Sequence, residues 1–375
     1  MKIAILTHPL GRNYGGIMQA YALQKTLVSL GHKPITVDNR PVMPKKLYVL
    51  KRSIYRSVLK LLGKRKGPIN IEAHYSYLFQ NTDKFVKEYI KTTETLTSTS
   101  GLQKHFFKND YDAVIVGSDQ TWRPKYVVNI YNYYLDFLTD IPIKKLAYAS
   151  SFGVDVWEYT DEETRVCAEL ALKFDAISVR EESGIKLCEK YLKVKSKCVL
   201  DPTLLLQKED YLELIGDRYK NDSGSGVFTY FLDANEEKKL AAEKLAKKLN
   251  THTYQCQGMG NLTSNNLEDY KMPQVEDWLA SFANAQFIMT DSFHGMVFSI
   301  IFQKPFIVIN NKQRGSARFH SLLSSIDMLE RLIDQSNIVE ALNDSNLMSL
   351  NSINTEELLR LRSESLSFLK STLIK

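Results

Sequence analysis

Residues Phe287–Ile309, FIMTDSFHGMVFSIIFQKPFIVI, carry the alternation that decides the fold. An apolar strand runs into a tight polar turn holding Asp291, Ser292, His294 and Gly295, then an apolar helix, then a second apolar strand. Strands that are apolar on both faces belong to parallel sheets with helices on either side. In such sheets ligands bind beyond the carboxyl ends of the strands, where helix N-termini present free N–H groups. An imidazole on that turn, His294, is placed to move a proton near neutral pH.

The same alternation extends outward in both directions. Strands are expected at Lys2–Thr7, Lys33–Val37, Asp112–Val116, Leu146–Ser150, Ala176–Val179 and Cys198–Leu200, with a helix at Tyr14–Leu30. After the small, polar stretch Asn221–Gly226 the pattern restarts with Val227–Leu232. A chain of 375 residues is too long for one ordinary core. The expected fold is α/β, two Rossmann-like domains facing across a cleft, residues 1–215 and 227–350. The last amphipathic helix, within 351–375, is expected to pack back across the boundary.

Composition narrows the class. Hydrophobic content of 44% and charged content of 25% suit an ordinary globular chain. No apolar run reaches the ~20 residues that span a bilayer, and the N-terminus enters a strand without a signal-peptide pattern. Cys167, Cys188, Cys198 and Cys256 form no CxxC pair, as expected of reduced thiols in a cytoplasmic protein. The net charge of +6 is uneven: nine basic residues and no acidic one lie between Lys45 and Lys66. On a helical wheel Leu47, Leu50, Ile54, Val58 and Leu61 oppose Arg52, Arg56 and Lys60. Two readings follow for residues 44–66: a surface helix with its basic face in water, or a peripheral contact with an anionic membrane. No aromatic platform or groove-reading motif accompanies the charge, so nucleic acid is not expected.

Candidate site residues stand at strand ends. After the first strand, Asn13, Tyr14, Gly15 and Gly16 lead into a helix, with two glycines that let a ligand approach backbone amides. It is not a GxGxxG, and no dinucleotide is implied. Asp119, in Gly117-Ser118-Asp119-Gln120-Thr121-Trp122-Arg123, can orient a sugar or accept a hydroxyl proton, and Arg123 can meet an anion. Trp122 is either a stacking platform or a packing side chain. Arg180, ending Ser178-Val179-Arg180, offers fixed donors to phosphate or carboxylate. Arg318 leads a helix past the last strand, while Lys312 and Arg314 sit in the loop before it. His8 is a second imidazole candidate. No HxxxH pair or other ligand spacing supports a metal.

Taken together, the chain resembles the polysaccharide pyruvyl transferase family. The resemblance rests on Asn13-Tyr14-Gly15-Gly16-Ile17-Met18-Gln19-Ala20-Tyr21, on Gly117-Ser118-Asp119-Gln120-Thr121-Trp122, and on Ser178-Val179-Arg180-Glu181. It rests also on Leu200-Asp201-Pro202-Thr203 and on Thr290-Asp291-Ser292-Phe293-His294-Gly295. It implies a GT-B-like fold and transfer of the pyruvyl group of phosphoenolpyruvate onto two hydroxyls of a sugar. The product would be a cyclic ketal, with phosphate released and no cofactor needed. The acceptor would be a cell-surface polysaccharide or its lipid-linked precursor. The resemblance carries the family's cleft histidine onto His294, its strand-end arginine onto Arg180 and its first-domain aspartate onto Asp119. With the strand-end reading above, His294 and Asp119 are the expected catalytic pair, and Arg180, Arg318, Arg123, Asn13, Tyr14, Gly15, Gly16 and Ser292 are expected around the substrates. Ser292 stands where some members carry an arginine, which shifts phosphate binding onto Arg180 with Arg318 or Arg123. The competing expectations are a GT-B nucleotide-sugar glycosyltransferase and a non-catalytic scaffold in envelope-polymer assembly.

Overall fold

The computed structural model describes residues 1–40, 46–138, 141–219, 226–260, 264–311, 314–343 and 354–374. Lys312, residues 44–45 and most of the expected linker, 221–225, lie outside them. The first domain comprises β1 (Lys2–Leu6), α1 (Tyr14–Ser29), β2 (Lys33–Thr36), α2 (Lys46–Leu61), α3 (Tyr75–Leu78), α4 (Gln80–Tyr89) and α5 (Thr99–Lys108). It continues with β3 (Ala113–Val116), β4 (Lys144–Ser150), α6 (Asp161–Ala171), β5 (Ala176–Val179), α7 (Glu182–Leu187), β6 (Lys197–Cys198) and α8 (Lys208–Ile215). The second holds β7 (Val227–Tyr230), α9 (Glu236–Lys248), β8 (Thr253–Tyr254), α10 (Val275–Asn284), β9 (Phe287–Thr290), α11 (Phe293–Ile301), β10 (Phe306–Ile309), α12 (Ala317–Ser325), β11 (Leu332–Ile333) and α13 (Ile338–Ala341). α14 (Thr355–Thr372) follows.

Both sheets are parallel, in the orders β2-β1-β3-β4-β5-β6 and β11-β10-β9-β7-β8. The central strands β1, β3 and β9 are buried along nearly their whole length, which is why they read as unbroken apolar runs. The sequence reading does not include α5, α6, α8 or the short α13. Of these α6 is legible: Thr160 and Glu163 form a capping box at its start.

The two domains share one core. Ile17, Met18 and Tyr21 of α1 belong to the same buried cluster as Trp278 and Phe282 of α10 and Phe298 of α11. The Tyr14 ring stacks on Trp278 at 4.8 Å, and its hydroxyl donates to the Pro273 carbonyl at 2.8 Å. Tyr211 of α8 packs edge-on against Phe298. α14 crosses to the first sheet, where Phe368, Leu369 and Leu373 join Ile3, Leu23 and Leu27.

α2 corrects one of its two sequence readings. Its apolar face, not its basic face, meets water: Leu50, Ile54 and Leu61 are 56%, 57% and 87% exposed. The basic face turns inward because Glu72 sits beneath it, 2.8 Å from Arg56 and 3.4 Å from Arg52. Lys60 donates to Asn265 Oδ1 at 2.6 Å. A surface helix with a solvated basic face is therefore not what this segment forms. No helix among the described residues is long and apolar enough to cross a membrane.

Candidate active site

The carboxyl ends of β1, β3 and β9 converge on a cavity of about 250 Å³ between the domains. Each strand end contributes a different function. His8 follows β1, Asp119 follows β3, and Ser292 and His294 follow β9; all four line the cavity, and Arg318 from α12 lines it too. Trp122 does not join them. It is wholly buried, stacked on Tyr134 at 4.9 Å with its indole N–H on the Tyr133 carbonyl, and so is a packing residue.

His294 sits in the first turn of α11, which Ser292 caps by accepting from the Gly295 N–H at 3.4 Å. Its Nε2 lies 3.6 Å from Asp201 Oδ2. The same oxygen accepts from Arg180 Nη1 at 2.6 Å, so Asp201 ties the imidazole to the guanidinium across the domain boundary. Its other oxygen accepts from the Thr203 N–H and hydroxyl, at 3.0 and 2.6 Å. Burial alone would push the Asp201 carboxyl up, but His294, Arg180 and Thr203 outweigh it and hold the group well below the usual carboxylate range. Asp201 is thereby a fixed anion facing the imidazole, whose Nε2 lies within ion-pair distance of it but makes no hydrogen bond.

Asp119 is held in the same way. Burial raises its pKa, while Arg180, His8, His294 and Arg318 together pull it below the ordinary value. Its Oδ1 accepts from Arg180 Nη2 at 3.3 Å and from the Gln120 N–H at 2.9 Å. So acidic a group is a weak base. It can receive hydrogen bonds from a sugar hydroxyl, but proton removal falls to an imidazole.

The arginines divide sharply. Arg180 has both Nη atoms on aspartates and lies behind the cavity wall rather than in it. Arg123 pairs with Glu158 through Nε at 2.8 Å and Nη2 at 3.1 Å and does not line the cavity either. Arg314 lines it, but is engaged with Asp233 at 2.6 and 2.9 Å. Arg318 differs from all three. It is 5% exposed, donates through Nη2 only to the Arg314 carbonyl at 3.0 Å, and has no carboxylate within 4.0 Å among the described residues. Its Nε has no hydrogen-bond partner. Burial, reinforced by Arg180 nearby, drags its pKa down to about 10. Asp119 and Glu181 attract it only from beyond ion-pair distance, and a buried cation with no carboxylate in direct contact is costly unless a ligand supplies one. The site is built for an anion.

The profile of the polysaccharide pyruvyl transferase family matches residues 13–313. The chain belongs to that family. It is a transferase, and the sequence resemblance stated above is to the same group. A comparison with curated protein sequences finds no match. Among solved structures, this chain is similar to UGT89C1 of Arabidopsis thaliana complexed with UDP-L-rhamnose, at 11% identity and a TM-score of 0.53 over 100% of this chain and 99% of the other. It is similar to the UDP-GlcNAc 2-epimerase of Neisseria meningitidis, at 12% identity and 0.51 over 96% and 100%. It also resembles S. aureus MnaA with UDP, at 13% identity and 0.52 over 94% and 92%. These likenesses establish the fold: two Rossmann-like domains in the GT-B arrangement.

The glycine turn of the chain is used differently from the sequence expectation. Asn13 Oδ1 already accepts from the Gly15 and Gly16 N–H groups, at 3.0 and 3.4 Å, so these amides are capped rather than offered to a ligand. What Gly15 admits is His294: a Cβ there would lie 2.0 Å from Nδ1. Gly15→Ala should therefore misplace the imidazole, lowering turnover by about 10²-fold and stability by roughly 1–3 kcal/mol. Gly16→Ala, whose Cβ would meet nothing closer than 3.7 Å, should melt like the parent. Thermal melts of both variants and phosphate-release assays of the first check this pair. Equal behaviour at the two positions would remove the close approach from the account. Asp201 was the residue the sequence reading undervalued: it appeared only within a matching block, with no role.

Proposed function

We propose that the chain moves the pyruvyl group of phosphoenolpyruvate onto two hydroxyls of one sugar, forming a cyclic ketal and releasing phosphate. The observation that carries this is Arg318, a buried guanidinium facing a small cavity with no carboxylate partner among the described residues. Phosphoenolpyruvate brings a phosphate and a carboxylate to a site that also holds two imidazoles, His294 and His8. Family membership makes a polysaccharide or its precursor the acceptor class.

The steps follow from the donor's chemistry. C3 of the enol takes a proton from one imidazolium, leaving C2 electrophilic. The first sugar hydroxyl attacks C2 and gives its proton to a neutral imidazole, while the Asp119 carboxylate holds the acceptor by hydrogen bonding. The C2–O bond to phosphate then breaks, the second hydroxyl closes the ring, and its proton leaves on the phosphate. One donor and one diol give one ketal and one phosphate. Arg318 neutralises the leaving group throughout, and no cofactor enters the balance. General acid–base help of this kind is worth about 10²–10⁴ in rate. The expected place of work is the cytoplasm.

Differential protection tests the proposal. Phosphoenolpyruvate should raise the melting temperature where inorganic phosphate raises it less, and incubation with a saccharide acceptor panel should add the mass of a pyruvate ketal. Protection by uridine-diphosphate sugars and not by phosphoenolpyruvate would transfer the chain to nucleotide-sugar chemistry. Retained biological activity with both His294 and Arg318 replaced would make it a scaffold.

A further inference from the structure

The outward apolar stripe on α2 is a feature that the reaction leaves unused. Leu50, Ile54, Val58, Leu61 and Leu62 recur at helical spacing and are all exposed, with Tyr55 beside them at 64%. A helix that spends its arginines on Glu72 and turns its leucines to water is arranged opposite to a core-covering helix. Contiguous exposed apolar surface of this kind marks an interaction site.

Charge says which partner fits. Lys51, Lys64 and Lys66 are exposed around the stripe, and the nearest carboxylate below it, Glu72, is neutralised by two arginines. An apolar band rimmed by lysines and flanked by tyrosine suits the headgroup zone of an anionic bilayer, where apolar side chains sink and cations stay at the surface. A protein partner or a second copy would need acidic groups to meet those lysines.

The stripe is also connected to the active site. A second groove, of about 480 Å³, shares Asn13, Leu232 and Arg314 with the His294 cavity. Ile71 and Glu72 also line it, and Glu72 is the residue on which α2 is seated. An acceptor saccharide lying in this groove would have its inner end at His294 and its outer end beside α2.

We infer that α2 lays its apolar stripe into the interface of an anionic membrane, so that the groove behind it receives a saccharide carried on a membrane-anchored lipid. The acceptor part rests on the pyruvyl-transfer reading; the bilayer contact does not.

Vesicle flotation of the purified full chain tests it, with phosphatidylcholine vesicles containing or lacking phosphatidylglycerol. The chain should float only with the anionic vesicles, and less so as salt is raised. Ile54→Glu with Leu61→Glu should lower binding by more than about tenfold. Each of Lys51→Glu, Lys64→Glu and Lys66→Glu should lower it by about fivefold. Because the substituted side chains are exposed, the variants should keep the parent's melting temperature and its protection by phosphoenolpyruvate. Failure of the parent to float, or flotation indifferent to the double variant, overturns the inference. So does a concentration-dependent dimer that the double variant disperses, which would assign the stripe to a second copy. Loss of phosphoenolpyruvate protection in the parent, with flotation intact, would instead sink the pyruvyl-transfer reading.

Discussion

Arg318→Met should cost the protein its donor while making the empty protein no less stable. The guanidinium is buried, its Nε is unpartnered, and it lies 5.2 Å from the Phe293 ring with Arg180 against the same ring at 4.6 Å. Two like charges on one aromatic, only one of them paired with carboxylates, are tolerable when an anion arrives and unfavourable until then. Methionine fills similar volume without the charge. Phosphoenolpyruvate affinity should fall by about 10²-fold or more, whereas the unfolding free energy should stay level or rise by up to roughly 2 kcal/mol. Denaturant unfolding with and without phosphoenolpyruvate reads both quantities. A variant that unfolds more easily yet is still protected by the donor would show that Arg318 is a structural cation. The opposite signs make the test sharp, because an ordinary core defect would lower both.

His294→Gln should separate binding from chemistry. Arg318 remains to hold the anion, and Asp201 remains tied to Arg180 and Thr203, so donor protection should change by only a few-fold. Phosphate release with acceptor present should fall by about 10²–10⁴. Glutamine can hydrogen-bond to Asp201 but cannot carry the proton. Incorporation of solvent deuterium into the ketal methyl group reports that proton directly. Near-parental turnover would shift the acid–base role to His8, which lines the same cavity.

The parallel sheets were legible because strands such as Phe287–Thr290 and Ala113–Val116 are buried on both faces and leave unbroken apolar runs. Catalytic candidates at strand ends were legible for the same topological reason. Charge pairing was not. Whether an arginine is free depends on carboxylates distant in sequence, and Arg180 meets Asp201 and Asp119 only because the ends of β3 and β5, separated in the sheet by β4, and the segment after β6 come together. Arg123 and Arg180 therefore looked as available as Arg318. The helical wheel likewise separated the two faces of α2 without saying which one Glu72 would attract. A capping box, as at Thr160 and Glu163, is the kind of local signal that needs no partner from elsewhere.

The seam between the lobes restricts how this protein is loaded. Prising the halves apart would unstack Tyr14 from Trp278, strip Ile17 and Met18 of their neighbours, and draw the imidazole of His294 off Gly15. Exposing even a few such side chains costs about 1.5–3 kcal/mol each. A clamshell cycle at every turnover is too expensive for such a joint. Substrates of the proposed reaction would then have to reach the cavity with the lobes still joined.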